Sequence, residues 1–363
     1  MVNKKTILLG MSGGVDSSVA ALLLKKQGYR VIGAFMKNFS DTKNEITGEC
    51  SYLEDKKMAQ KICALLKIPL IIIDSEKEYK SQVIKPMFKA YSKNLTPNPD
   101  TLCNKIIKFP ILWKKAKLLK ADFIATGHYA RIKKSSKGFE FLSGKDKTKD
   151  QSYFLYQLSQ KDLSHTIFPL GSLTKSQVRS IAKKNKFPNW NRHGTAGVCF
   201  IGNIDFKSFL KKKIKKKLGK VLSPEENIVG SHPGAMYFTI GEKVGPKNGI
   251  IISDSYRNTN GGKLYIAGKK GNTLVIAPQN HPSLKKNRII IKNFHLINKN
   301  SKLSGNIKAR IRHLSKLESG KLKKTKGKLT FLLKKPLEGI AEGQAIVLYQ
   351  GSKVLGGGEI RFN

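Results

Sequence analysis

The sequence has few cysteines and no long apolar run. Only four cysteines occur among 363 residues, and no two of them form a C-x-x-C pair, which argues against a zinc ribbon. The densest apolar run, residues 68–73, has the length of a strand and is far too short to span a membrane. Residues 1–10 form too short a segment for a secretory signal. We therefore expect a cytoplasmic protein without membrane association, in which structural disulfides are disfavoured.

Acidic residues are also scarce. The chain has 24 aspartates and glutamates against 69 lysines and arginines, so its formal net charge is +45 at pH 7. Such an excess fits a polyanionic partner such as nucleic acid. A genome-wide bias toward lysine codons would produce the same excess, so the charge alone identifies neither the partner nor a binding face.

A glycine-rich loop at residues 10–17 carries the most chemical information. It follows the apolar residues 7–9 and precedes a helical pattern, so backbone N–H groups and a helix N-terminus would converge on one spot. Ser12, Ser17 and Ser18 would add hydroxyl donors. The loop fits neither the Walker nor the Rossmann pattern. A plain turn would need one glycine rather than a cluster, so the loop predicts a phosphate site.

The first half of the chain alternates strand and helix patterns. This alternation predicts a doubly wound, mostly parallel α/β sheet. Ligands of such sheets bind at the carboxyl ends of the strands, where Gly10, Met36 and Gly127 all fall. The predicted strands are residues 7–9, 31–36, 70–73 and 123–126, and the predicted helices are 17–27, 52–66, 77–94 and 106–119.

The second half changes character. Residues 159–190 are predicted to be helical, and a helix capped by Asp205 is predicted to follow over residues 206–218. The lysines of that helix form either a solvated face or a phosphate contact. Residues from 221 onward alternate in short segments separated by turns at 269–272 and 350–352, which predicts an all-β region. We expect a small linking domain and then a barrel over residues 287–363.

Residues 96–105 form a second group with chemical potential. Two prolines exclude a helix interior at their start, and a helix beginning near Asp100 would place Cys103 in its first turn. The helix N-terminus and Lys105 would then lower the pKa of the thiol, although an inert cysteine in a capped helix start remains the alternative. Cys199 lies in a loop flanked by glycines, Cys63 lies in an apolar helical stripe, and Cys50 has no clear context.

Residues 12–17 resemble the PP-loop of ATP pyrophosphatases. Together with seven other segments, in the same order along nearly the whole chain, they resemble the tRNA-specific 2-thiouridylase family. The family pattern differs at residues 194–196, where an acidic residue is missing, at 241–245, and at Ile311, where an aromatic residue is expected. The matching segments are residues 10–17, 35–38, 96–105, 125–129, 149–154, 197–202, 343–344 and 355–358.

The resemblance implies three domains and a set of roles. These domains are a PP-loop catalytic domain at 1–205, a small central domain at 206–284 and a C-terminal β-barrel at 285–363. Cys199 would carry sulfur as a persulfide, Cys103 would be the partner nucleophile, and Asp100 would be the general acid/base. The implied ATP-binding residues are Gly10, Met11, Ser12, Gly13, Gly14, Val15, Asp16, Ser17, Met36 and Gly127. The implied tRNA contacts are Asn98, Pro99, Asp100, Lys149, Asp150, Gln151, Arg310 and Ile311.

The implied reaction is the ATP-dependent replacement of the C2 oxygen of the wobble uridine in tRNA by sulfur. ATP with Mg²⁺ would adenylate that oxygen and make it a leaving group. Sulfur would arrive either as sulfide released by Cys103 or by direct attack of the persulfide. The implied partners are tRNA and a persulfide sulfur-donor protein, and the protein would be a monomer. The alternatives are another PP-loop enzyme (a 4-thiouridine synthetase or an amidating ligase) and a non-catalytic basic ATP- and RNA-binding module.

Overall fold

The structure is a computed structural model that describes residues 4–39, 51–192, 206–245, 248–325 and 327–362. Its N-terminal region alternates strands with helices. The strands here are β1 Thr6–Gly10, β2 Arg30–Lys37, β3 Leu70–Asp74, β4 Phe123–Ala125, β5 Ala130–Ser135, β6 Gly138–Ser143 and β7 Thr166–Ile167. The α-helices are α1 Val15–Lys26, α2 Ser51–Leu65, α3 Glu76–Tyr79, α4 Lys85–Ser92, α5 Pro99–Cys103, α6 Phe109–Leu118, α7 Gln160–Ser164 and α8 Lys175–Lys184.

The N-terminal sheet has five strands, all paired in parallel, in the order β3-β2-β1-β4-β7. Strand β1 is buried on both faces: Ile7 and Leu9 lie in one apolar cluster and Leu8 lies in another, which explains its continuous apolar run. The chain leaves β1 toward β2 and β3, then returns to the other side of β1 with β4. The order therefore reverses between β1 and β4, and the carboxyl ends of these two strands form the expected ligand crevice.

A continuous helical segment leads toward this crevice. Helix α5 passes into a π-helical turn, Asn104–Lys108, and then into α6. The segment starts at Pro99, in agreement with the helix start expected near Asp100 and before the helix predicted over 106–119, and proline is well tolerated in the first helical turn. A second π-helical turn, Lys80–Ile84, joins α3 to α4.

Several N-terminal predictions were wrong in detail. Residues 159–190 contain α7 and α8 but also the strand β7, which completes the parallel sheet. The β5–β6 hairpin was not predicted. It leaves the N-terminal sheet and joins the C-terminal region, where Leu142 pairs with Lys353. The helix predicted over 206–218 ends at Lys211, and its predicted cap, Asp205, lies outside the described residues.

The central region contains a five-stranded sheet in the order β10-β9-β8-β12-β11. Strands β8 and β12 are parallel and the other pairs are antiparallel. The predicted turn at 269–272 joins β11 to β12. The elements are α9 Phe206–Lys211, β8 Gly219–Leu222, β9 Ile228–His232, β10 Ile251–Ile252, α10 Asp254–Thr259, β11 Leu264–Lys270 and β12 Thr273–Pro278.

The C-terminal region is a closed barrel of six antiparallel strands, in which the last strand pairs with the first. The predicted turn at 350–352 connects its last two strands. The predicted fold class, a doubly wound α/β sheet followed by a small domain and a β-barrel, is confirmed. No helix in the described ranges is long and apolar enough to cross a membrane. The strands are β13 Lys285–Leu296, β14 Lys308–Arg310, β15 Glu318–Thr325, β16 Lys328–Glu338, β17 Ala345–Gln350 and β18 Lys353–Arg361.

Candidate active site

The glycine-rich loop connects β1 to α1. Gly13 has a φ of +78°, and a Cβ atom there would lie 2.3 Å from the Asp55 carbonyl oxygen, so only glycine fits. Helix α1 starts after Gly14, and within the described part of the chain no side chain caps it. The N–H groups of its first turn therefore lack intrahelical acceptors, and the helix dipole favours an anion there. The loop has the backbone geometry of a phosphate site.

Side chains hold this loop in shape. Ser17 and Ser18 each donate their hydroxyl hydrogen to the Gly14 carbonyl at 3.0 Å, so these hydroxyls support the loop rather than face a ligand as predicted. The Ser12 side chain remains exposed. Buried Asn189 donates from Nδ2 to the Gly13 carbonyl at 2.8 Å. Sequence reasoning missed Asn189, because a lone asparagine far along the chain gives no local signal.

Gly127 lies against the glycine-rich loop, as expected from the reversal of strand order between β1 and β4. A Cβ atom at Gly127 would lie 2.9 Å from the Ser17 nitrogen and 3.0 Å from the Asp16 carbonyl carbon. Met36 lies at the end of β2, but its side chain is buried, as are those of Met11 and Val15. Any contact of these three residues with ATP would therefore use the backbone.

Asp16 is held by two side chains that sequence reasoning did not identify. Lys175 Nζ lies 2.6 Å from Asp16 Oδ1 and 2.7 Å from Oδ2. The Tyr129 hydroxyl donates to Asp16 Oδ1 at 2.7 Å. Burial and the neighbouring Asp16 carboxylate raise the pKa of Tyr129, so its hydroxyl stays protonated. The acid of the loop is thus paired with both Lys175 and Tyr129.

The second predicted group lies at the start of α5. Asn98 caps this helix by accepting the Thr101 N–H at 3.2 Å, and Asp100 lies partly exposed in the first turn. Cys103 is only 1% exposed, and burial raises the pKa of its thiol to about 12. The predicted lowering of this pKa was wrong, since desolvation outweighs the nearby cation. That cation is Lys108 rather than the predicted Lys105, which is exposed.

Lys108 links the cysteine to the side of the crevice that carries Gly127. Its ammonium lies 3.4 Å from His128 Nε2, and His128 Nδ1 lies 2.7 Å from Thr126 Oγ1. An ammonium can only donate, so Nε2 accepts and Nδ1 carries the proton. Burial and the Lys108 charge hold the pKa of His128 well below its usual value, so the imidazole is neutral. The contacts extend from the π-helical turn Asn104–Lys108 to the residues that flank Gly127.

Residues 149–151 are predicted tRNA contacts, but one of them, Asp150, has a structural role. Asp150 is buried and accepts hydrogen bonds from Gly144 N–H at 2.9 Å and Arg310 Nη1 at 2.6 Å. Arg310 and Ile311 are buried as well. The side chains of these three residues therefore do not face solvent as surface contacts with tRNA would. Lys149 is exposed, and Gln151 accepts the Tyr129 N–H at 3.1 Å.

The barrel contacts the start of segment 96–105. The Thr96 N–H donates to the Glu342 carbonyl at 2.8 Å, and Gln344 Nε2 donates to the Thr96 carbonyl at 3.0 Å. The Tyr153 hydroxyl donates to the Ala345 carbonyl at 2.8 Å. Segments 96–105, 149–154 and 343–344, separate in sequence, thus form one structural unit.

Cys199 and Cys50 lie outside the described residues, as do the whole loop 193–205 and its altered residues 194–196. The two thiols described are Cys63 and Cys103, and both are buried and unbridged. Among the residues with described positions, no group of three or more His, Cys, Asp or Glu side chains could hold a metal ion.

Three family models match the chain in succession. They are described as a tRNA methyl transferase HUP domain over residues 5–203, a tRNA methyl transferase PRC-barrel domain over 207–278, and an aminomethyltransferase beta-barrel domain over 286–360. Full-length relatives include the tRNA-specific 2-thiouridylase MnmA of Karelsulcia muelleri, 40% identical, with 99% of each chain covered. The protein of the same name from Nitrosococcus oceani is also 40% identical, over 99% of this chain and 97% of its own.

Proposed function

Because this chain belongs to the tRNA-specific 2-thiouridylase family, we propose that it replaces the C2 oxygen of the wobble uridine in tRNA with sulfur, using ATP. One observation supports this proposal most directly. The glycine-rich loop before α1 and the helix that carries Asp100 and Cys103 lie at one crevice. Lys108 contacts His128, and the neighbouring Gly127 packs against the loop. A nucleotide site and a thiol are the two parts that activation and sulfur transfer need.

The first half-reaction activates the uridine. The C2 oxygen attacks the α-phosphate of ATP, an O–P bond forms, and pyrophosphate leaves. Mg²⁺ bound to ATP would neutralise the phosphate charge. The loop at 10–17 and Gly127 hold the nucleotide, and Asn98 and Pro99 lie against the target base. The base must leave its stack to reach this site, which costs a few kcal/mol and less in a single-stranded loop.

The second half-reaction transfers sulfur. The Cys103 thiolate attacks the Cys199 sulfur of the persulfide, a Cys103–Cys199 disulfide forms, and hydrosulfide leaves with the bonding electron pair. Hydrosulfide then attacks C2, and AMP departs with the original oxygen. Asp100, three residues before Cys103 on the same helix, is the proposed general base that takes the thiol proton. Direct attack on C2 by the persulfide, with Cys103 resolving the product, is the second route.

The protein acts, in this proposal, as a cytoplasmic monomer that receives sulfur from a persulfide-carrying donor protein. Exposed Lys149 and partly exposed Gln151 are the proposed tRNA contacts of the 149–151 segment. Contacts by Asp150, Arg310 and Ile311 would use the backbone or follow a rearrangement, because their side chains are buried.

The test combines purified protein, ATP, Mg²⁺, a sulfide source and unmodified tRNA, followed by nucleoside analysis of the digested tRNA. We expect 2-thiouridine from the wild-type protein and from Cys63→Ala, which removes a thiol in the core. Cys199→Ser should bind tRNA but form no product when sulfur is supplied by a persulfide donor. A 4-thiouridine product, or no thiolated product at all, would contradict the proposed function. If Cys199→Ser still forms 2-thiouridine when the persulfide donor is the only sulfur source, the persulfide role of Cys199 is contradicted.

A further inference from the structure

Lys175 is a nearly buried cation beside the glycine-rich loop. It is the first residue of α8, its side chain is 15% exposed, and its Nζ contacts both carboxylate oxygens of Asp16. Its backbone is fixed as well, since its N–H donates to Asp146 Oδ2 at 2.9 Å and the preceding Thr174 caps the helix. The ammonium therefore stands at a defined position next to α1.

That position borders the first turn of α1. Asp16 is the second residue of this helix, so it lies among the N–H groups that lack acceptors. An anion bound by those groups would lie beside the Lys175 ammonium.

Arg179 adds a second cation one turn farther along α8. Its charge acts on Tyr129, the tyrosine whose hydroxyl bonds Asp16. Its Nε is buried and has no hydrogen-bond partner among the described residues. Buried donors are normally satisfied, so this corner of the crevice has a donor that neither Asp16 nor Asp146 uses among the described residues.

We propose that Lys175 binds the pyrophosphate end of ATP, giving up its ion pair with Asp16 to do so. The inference rests on the proposed use of ATP. Phosphate oxygens at the α1 N-terminus compete with Asp16 for the ammonium, and the short side-chain displacement needed leaves the α8 backbone in place. The bound lysine then stabilises the charge that accumulates on pyrophosphate as it leaves.

Calorimetric titration of Lys175→Met tests the assignment with ATP, pyrophosphate and AMP as separate ligands. We expect the dissociation constants of ATP and pyrophosphate to rise roughly 10- to 100-fold, because a charge-assisted contact is lost. The AMP constant should stay within about twofold. Lys175→Arg should retain most of the ATP affinity. Lys184→Met removes an exposed charge from the same helix and should leave all three constants unchanged.

A purely structural counter-ion role gives different results. In that case Lys175→Met weakens ATP binding only because Asp16 is left unpaired. The double variant Asp16→Asn with Lys175→Met would then bind ATP as the wild type does, measured in the presence of EDTA. That restoration, or an equal weakening of AMP and ATP binding, would overturn the inference. Equal ATP affinity of wild type and Lys175→Met would overturn the role of Lys175 and leave the proposed function standing. A wild-type protein that binds no ATP would contradict the proposed function itself.

Discussion

Asp150 and Arg310, 160 positions apart in sequence, form a buried ion pair with Oδ2 and Nη1 at 2.6 Å. It connects the N-terminal region to the barrel strand β14. Asp150 also accepts from the Ser152 N–H and hydroxyl, and the Arg310 guanidinium lies 5.2 Å from the centre of the Tyr349 ring. Two of the proposed tRNA contacts, Asp150 and Arg310, therefore have side chains that join the N-terminal region to the barrel.

Loss of the arginine should destabilise the protein strongly. Arg310→Met leaves the Asp150 carboxylate buried without its cation, which costs about 3–5 kcal/mol of unfolding free energy. Lys353→Met is the matched control, since Lys353 pairs with Glu140 at 3.0 Å near the same junction but both side chains are 30% exposed. That pair should contribute no more than about 1 kcal/mol. Urea unfolding measures both, and equal losses would refute the structural role of the buried pair.

Gly127→Ala should impair ATP binding. The added methyl would meet the Ser17 nitrogen and Asp16 carbonyl carbon at 2.9 and 3.0 Å, so β4 and the loop must separate. Overpacking at a backbone contact corresponds to a roughly 10-fold or greater loss of affinity. Gly245→Ala adds a methyl where nothing lies within 4 Å and should bind ATP normally. Calorimetry on the two variants decides the point; unchanged affinity in Gly127→Ala would remove Gly127 from the nucleotide site.

Cys103 should react slowly with alkylating reagents in the free protein. Its pKa is raised to about 12, so about one thiol in ten thousand is ionised at pH 8. The rate should climb about tenfold per pH unit up to pH 11, since only the thiolate reacts. Iodoacetamide labelling with mass spectrometry of the Cys103 peptide measures this, with urea-unfolded protein as the reference. A rate that levels off near neutral pH would show an activated thiol instead.

His313 should make the folded protein sensitive to acid. It lies 4.2 Å from the Phe154 ring centre, and burial together with the Arg310 charge lowers its pKa to about 4. Between pH 6.5 and 4 the unfolded chain binds a proton that the folded protein does not, so stability falls as the pH falls. His313→Gln cannot titrate and should lose less stability over that interval. Unfolding curves of the two proteins that stay parallel from pH 7 to 4 would contradict the lowered pKa.

Local patterns predicted much of this molecule. Continuous apolar runs predicted the parallel strands because β1 is buried on both faces, and the glycine cluster predicted the loop because Gly13 needs both a positive φ and close approach. The β5–β6 hairpin was missed because it joins β18, whose Lys353 lies more than 200 residues away in sequence. The pKa direction at Cys103 was missed because tertiary packing, rather than the helix start, decides its solvation.

Charged side chains were the least predictable part. The local sequence around Asp150 and Lys175 does not show that one is buried against Arg310 and that the other borders the glycine-rich loop. Which role each takes depends on partners contributed by distant segments. The spacing of residues along the chain does not predict those partners.

The hydrogen bonds between Thr96 and the barrel also set an order of events during protein synthesis. Thr96 is bonded by Glu342 and Gln344, the latter 248 positions farther along the chain. A ribosome therefore completes the glycine-rich loop and its sheet long before it makes the residues that fix the segment beside Asp100 and Cys103. A nascent chain can fold the glycine-rich loop early, but the segment that carries Asp100 and Cys103 is fixed only after the barrel has emerged and closed.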